Sequence, residues 1–171
     1  MRPDPGQSGR PTRRKFLASL SLLLLSGCGG GDKPPPTTGL RFMVDADELI
    51  NPNSESQPSP VVVRVYELKS LTAFQPATFF QLLDNDTAVL GADMVAKREI
   101  EIKPGERQAF DRATPAETKY IGVIAGFRDI DKATWRANLE LAPQQAGLVV
   151  VKLTAQAVSI SLTRDKTLGL F

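Results

Sequence analysis

From Leu40 onward, apolar and polar residues alternate with a period of two in a series of short runs. Successive side chains of a strand point to opposite faces, so this period marks strands with one buried face. Leu40, Phe42, Val44 and Ala46 interleave with Arg41, Met43, Asp45 and Asp47 and predict a first strand. Val61–Leu68 (VVVRVYEL) is a β-branched run that suits a central, more buried strand. Residues 94–103 send Ile100 and Ile102 to one face and Lys97, Glu99, Glu101 and Lys103 to the other; Pro104-Gly105 then turns, and a short strand over 107–110 can return. Residues 120–127 (YIGVIAGF) read as a buried strand whose glycines permit a bulge or close backbone approach. Trp135, Ala137, Leu139 and Leu141 alternate with Arg136, Asn138 and Glu140, which turns the indole inward. Residues 148–155 and 157–162 are close enough to form a terminal hairpin. Eight strand candidates with short, turn-rich gaps predict an all-β fold, a two-sheet β-sandwich.

Residues 70–83 break the pattern. Leu71, Phe74, Phe79, Phe80 and Leu83 fall at helix-like spacings, with Ser70 available as an N-cap and Pro76 near the start of a second turn. A small helical insertion is expected there, its aromatics covering the open side of the sandwich. The competing use of Phe74, Phe79 and Phe80 is a pocket for a small ligand.

Composition narrows the chemistry. The 171 residues include no His and one Cys. Without His there is no Ser-His-Asp or Cys-His nucleophile pair and no imidazole metal site, so the common hydrolases are excluded. A single Cys permits neither an intramolecular disulfide nor a Cys-rich zinc site, which leaves stability to an apolar core. The formal charge of +2 divides unevenly: residues 1–27 hold five basic residues and one acid, so the totals of 21 and 19 leave 16 basic and 18 acidic residues in 28–171. That remainder, with no basic stripe interleaved with aromatics, is no nucleic-acid binder.

The basic excess belongs to a leader. Thr12-Arg13-Arg14-Lys15 precedes ten residues, 16–25, that are apolar apart from Ser19 and Ser21, and then Ser26-Gly27-Cys28. A charged n-region before a short apolar stretch reads as an export signal, too short for a transmembrane helix of roughly 20 residues. Leu25-Ser26-Gly27-Cys28 resembles the bacterial lipobox, in which cleavage leaves a diacylglycerol-bearing Cys28 as the first mature residue. Thr12–Leu17 also resembles a twin-arginine motif, and both that route and the general secretory route fit. Gly29 follows the cysteine where an inner-membrane retention signal has Asp, which by that resemblance places the anchor in the outer membrane. The expected organisation is a signal peptide over 1–27, a flexible Gly/Pro spacer over 28–39, the sandwich over 40–162, and a tail over 163–171 that is partly disordered. No cofactor is expected beyond the covalent lipid on Cys28.

Catalytic patterns are weak. Asp84-Asn85-Asp86 begins like a calcium loop, but Val89 and Val95 stand where an EF-hand needs Gly and Glu, so a turn is expected. Asp129 and Asp131 could pair as catalytic carboxylates, although two acids this close in one loop fit turn capping better. Phosphate-binding loops, G-x-G-x-x-G and G-x-S-x-G are all missing. No enzyme is predicted. Residues 50–60 (INPNSESQPSP) instead form a connection longer than a hairpin requires, and such loops commonly carry recognition.

The order of several blocks resembles one family, the outer-membrane lipoproteins of the bacterial type VI secretion system, TssJ. The blocks are Asn51-Pro52-Asn53, residues 58–68 (PSPVVVRVYEL), Phe79-Phe80, Val89-Leu90-Gly91, Pro104-Gly105-Glu106, residues 120–123 (YIGV), Phe127-Arg128 and Trp135-Arg136. The resemblance covers roughly residues 40–162. It implies a non-enzymatic, transthyretin-like sandwich with a small helical insertion, lipid-anchored at the periplasmic face of the outer membrane. It further implies binding to the periplasmic C-terminal region of the inner-membrane protein TssM, with TssL joined indirectly in the same complex. In that family the loop between the first two strands is implicated in TssM binding; here its candidate contacts are Asn51, Pro52, Asn53, Ser54, Glu55, Ser56 and Gln57. The segment 54–57 lacks the glycine of many members.

Overall fold

The computed structural model describes residues 36–163. The leader, Cys28, most of the spacer and residues 164–171 lie outside the described residues. Eight strands and one helix follow in the order β1 (Thr37–Ala46), β2 (Val61–Leu68), α1 (Phe79–Leu90), β3 (Met94–Ile102), β4 (Arg107–Pro115), β5 (Tyr120–Ala125), β6 (Arg136–Glu140), β7 (Gly147–Leu153) and β8 (Val158–Thr163). They form two four-stranded sheets, ordered β4-β1-β7-β8 and β3-β2-β5-β6. All neighbours are antiparallel except β1 and β7, which run parallel from Leu40 opposite Gly147 to Ala46 opposite Leu153.

Alternation does what it predicts. Leu40, Phe42, Val44 and Ala46 of β1, Val61, Val63 and Val65 of β2, Ile121, Val123 and Ala125 of β5 and Val149, Val151 and Leu153 of β7 meet between the sheets in one buried cluster. Burial of such side chains contributes about 1.5–3 kcal/mol each and is the main source of stability. β7 and β8 form the expected terminal hairpin. Two boundaries differ from expectation by more than two residues. β1 begins at Thr37 rather than Leu40, because the backbone of Thr37, Thr38 and Gly39 pairs with Pro115, Thr114 and Ala113 of β4; the spacer therefore gives up its last three residues to the sheet. β4 likewise runs on to Pro115 to match β1 in length.

The helical insertion is displaced. Ser70 does not cap a helix: its hydroxyl bonds Thr72, and the backbone then makes one turn in which Gln75 N donates to Leu71 O. Pro76, which has no N–H to give, follows immediately. The helix starts three residues later, where Thr78 and Gln81 form a capping box. It then runs through Asp84-Asn85-Asp86, the segment expected to be a turn. Asn85 is kinked out of helical geometry (φ −136°, ψ 29°), and Gly91 at φ 50° closes the helix.

Asp86 explains why the helix passes through a sequence of poor helix formers. It is buried against the outer face of β2, where its carboxylate accepts from Lys97 Nζ at 2.8 and 2.9 Å and from Tyr66 Oη at 3.2 Å, with Arg64 Nη1 at 3.5 Å. Burial alone would raise the Asp86 carboxyl, but the hydrogen bonds from Lys97, Thr87 and Tyr66 and the Lys97 charge outweigh it and hold the group below the ordinary carboxylate range. Burial pushes the Tyr66 phenol up. A carboxyl depressed in the folded state contributes stability that is complete above its unfolded pKa of about 3.9 and disappears as pH falls through the lower folded value. Asp86→Asn is thus expected to cost about 1–3 kcal/mol at pH 7, with wild type and variant converging below about pH 4 in denaturant titrations. A difference that is independent of pH would contradict the role of the charge.

Tyr66, Leu68, Phe74, Phe79, Leu82, Leu90 and Ile124 make a second core between helix and sheet. Gly122 is required there. A Cβ on it would lie 2.8 Å from Cζ of Phe74, whose ring is fully buried and has nowhere to move.

Candidate functional site

The antiparallel register brings the ends of β1, β3, β5 and β7 to one end of the sandwich with the starts of β2, β4, β6 and β8. The loop of residues 47–60 therefore sits beside the 126–135 and 154–157 connections. Thr37, where the described chain begins, lies at the opposite end, about 33 Å away along a ten-residue strand.

The seven candidate contact residues divide into a frame and a tip. Asn51 is buried and takes a left-handed conformation at φ 49°. Its N–H donates to Ala155 O at 2.9 Å, its Nδ2 to Pro60 O at 2.9 Å, and its Oδ1 accepts from Arg128 N at 2.7 Å. One residue thus ties three connections together, through its backbone N–H and its side-chain amide. Ser59 N closes the base of the loop onto Ile50 O, and the Ile50 side chain is in the core. Asn53 then knots the tip: its Oδ1 accepts from the N–H groups of Glu55 and Gln57, both at 2.9 Å, its Nδ2 donates to Gln57 Oε1 at 3.1 Å, and its N–H donates to Gln57 O. Ser56 takes φ 61° without a glycine, a conformation that costs a non-glycine residue of order 1–3 kcal/mol. Pro52 is half-buried, whereas Ser54, Glu55, Ser56 and Gln57 are exposed, as is Pro58. The loop is a built projection, and four polar side chains form its outer surface.

The Asp129 and Asp131 loop joins the same end. Asp129 O accepts from Ala133 N at 3.0 Å, and its carboxylate pairs with exposed Lys132 at 2.8 Å, which is the geometry of a turn. Among the described residues no group of three or more potential metal ligands comes together. Of the aromatics weighed as a pocket, Phe74 is fully buried and Phe79 is 8% exposed, packed edge-on against Trp135, while Phe80 points outward at 60% exposure. Arg136 fixes this side by donating to the carbonyls of Phe74 and Ala77. Phe74 and Phe79 are core, and sequence reading missed both the Arg136 latch and the Asp86 network, since neither is periodic.

The described residues thus form a sandwich with a helix packed on one sheet, a knotted polar loop at one end and the described N-terminus at the other. Residues 38–165 match the family model described as type VI secretion lipoprotein (VasD, EvfM, TssJ), and the chain belongs to that family. It is similar to the type VI secretion lipoprotein TssJ1 from Pseudomonas aeruginosa, at 35% identity and a TM-score of 0.73 over 76% of this chain and 99% of that one. A chain of the structure described as the C-terminal domain of the type VI secretion protein TssM from EAEC is 31% identical, with a TM-score of 0.60 over 72% of this chain and 99% of that one. A chain of a type VI membrane complex is 28% identical, with a TM-score of 0.62 over 74% and 98%. No curated protein sequence matches significantly. The family is a structural lipoprotein component of type VI secretion.

Proposed function

We propose that this chain joins the periplasmic C-terminal region of TssM to the outer membrane, held there by lipid on Cys28, with TssL linked indirectly through TssM. The observation that carries this reading is the position of the loop. Its exposed tip lies at the end of the sandwich farthest from Thr37, the end to which the lipidated cysteine and spacer would attach. A tether pulled between two membranes requires its two attachment points to be apart, and ten residues of β1 supply that separation. The similarity to chains in the TssM and membrane-complex structures supports the same partner.

The frame and tip make separable predictions. Replacing Ser54 and Glu55 together with Ala, which leaves the Asn53–Gln57 hydrogen bonds in place, is expected to weaken TssM binding at least about tenfold, with the melting temperature unchanged. Asn51→Ala is expected to lower stability by about 1–3 kcal/mol, because it strands Pro60 O and the Arg128 N–H. Undiminished TssM affinity in the double variant would remove the tip from the contact.

A further inference from the structure

Three large hydrophobic side chains stand exposed among the described residues: Leu49 at 66%, Phe80 at 60% and Val62 at 40%. Single exposed hydrophobics are ordinary on any protein surface, but these three share one end of the sandwich. Leu49 belongs to the 47–60 loop, and Val62 is the second residue of β2. Phe80 lies in the first turn of α1, which starts beside Trp135, the residue before β6.

Printed contacts join Phe80 to Val62 along the outer face of the sheet that carries α1. The Phe80 ring meets Phe79 edge-on at 5.4 Å. Gly126, partly exposed, follows the last residue of β5 and donates its N–H to Val62 O at 2.9 Å. A Cβ on Gly126 would lie 3.8 Å from Phe79 Cζ and 3.6 Å from Val62 O, both ordinary contact distances. Packing therefore does not demand glycine here, in contrast to Gly122 beneath Phe74. Helix α1 covers the next outward residues of β2, Arg64 and Tyr66, through the Leu82 carbonyl and leaves Val62 open. Between Val62 and the Phe79–Phe80 pair the surface is a notch with no side chain on its floor.

A stable interface takes about 800 Å² and roughly 20–30 residues from each partner, far more than the four polar side chains of the loop tip supply. Its centre is apolar and rich in aromatics, with polar residues at the rim. The loop leads from its tip straight into β2 and Val62, so this apolar surface continues the tip.

We propose that Phe80 and Val62, across the bare backbone of Gly126, receive an apolar side chain of the periplasmic C-terminal region of TssM, with the loop tip as the polar rim of the same contact. This rests on TssM being the partner of the loop. The test measures binding of that TssM region to the full-length lipoprotein in detergent by interferometry, for wild type, Phe80→Ala and Gly126→Leu. The first substitution removes a wall of the notch and the second fills its floor. Each is expected to weaken TssM binding at least about tenfold, with the melting temperature unchanged; Phe80→Ala decides alone should Gly126→Leu fail to fold. Wild-type affinity in either folded variant would overturn the notch and leave TssM as the partner, whereas no binding by the folded wild type would overturn both. Self-association of the wild type that Phe80→Ala abolishes, with TssM affinity unchanged, would assign the notch to a second copy of this chain and likewise overturn the proposal.

Discussion

Cys28→Ser is expected to move the protein from the membrane fraction to the soluble periplasmic fraction and to abolish secretion, with the sandwich still folded. The reason is arithmetic on the anchor. Each buried methylene of an acyl chain contributes about 0.8 kcal/mol, and stable attachment takes two or more chains. No helix among the described residues is long and apolar enough to cross a membrane, and Cys28 is the only cysteine in the sequence. The core of the sandwich is built from Leu40 onward, so the substitution removes the tether without touching a side chain of that core. Membrane fractionation of the serine variant identical to wild type would show that Cys28 is not the anchor.

Phe74→Ala is expected to destabilise the domain by about 3–5 kcal/mol, while Phe80→Ala changes stability by no more than about 0.5 kcal/mol. Both rings sit in the segment that sequence pattern leaves open between core and ligand pocket. The Phe74 ring has no exposure, meets Tyr66 edge-on at 5.9 Å, lies against the bare backbone of Gly122 and has its carbonyl held by Arg136. Truncating it opens a cavity that the two flanking layers cannot collapse to fill. Phe80 contacts Phe79 from the solvent side and stands 60% exposed. Urea titrations of the two variants check the pair; comparable losses from both would mean that Phe80 also belongs to the core.

The same contrast shows what the sequence could convey. Every strand was legible, because a half-buried strand writes its environment into alternate residues. The run Val61, Val63, Val65 on β2 faces one core while Tyr66 and Leu68 face the other. The helix was legible in kind and misplaced in register. Hydrophobic spacing in residues 70–83 is shared between a single turn and the first turn of α1, and the actual start is set by the Thr78–Gln81 capping box. Its passage through Asp84-Asn85-Asp86 depends on Lys97, Tyr66 and Arg64, partners at sequence separations of 11 to 22 residues that no local window contains. The parallel pairing of β1 with β7 is likewise invisible to periodicity, which reports a face and not a neighbour. At the candidate loop, sequence located the segment but could not divide it. That Asn51 is a bracket and Ser54–Gln57 a surface follows only from Pro60, Ala155 and Arg128 converging on one residue.

The proposed role requires this sandwich to hold TssM. Calorimetric titration of the domain, residues 32–163, with the periplasmic C-terminal region of TssM from the same genome tests it most directly. Saturable binding is expected, weakened by the loop-tip substitutions while the melting temperature stays in place. Failure to bind by a domain that melts cooperatively would contradict it.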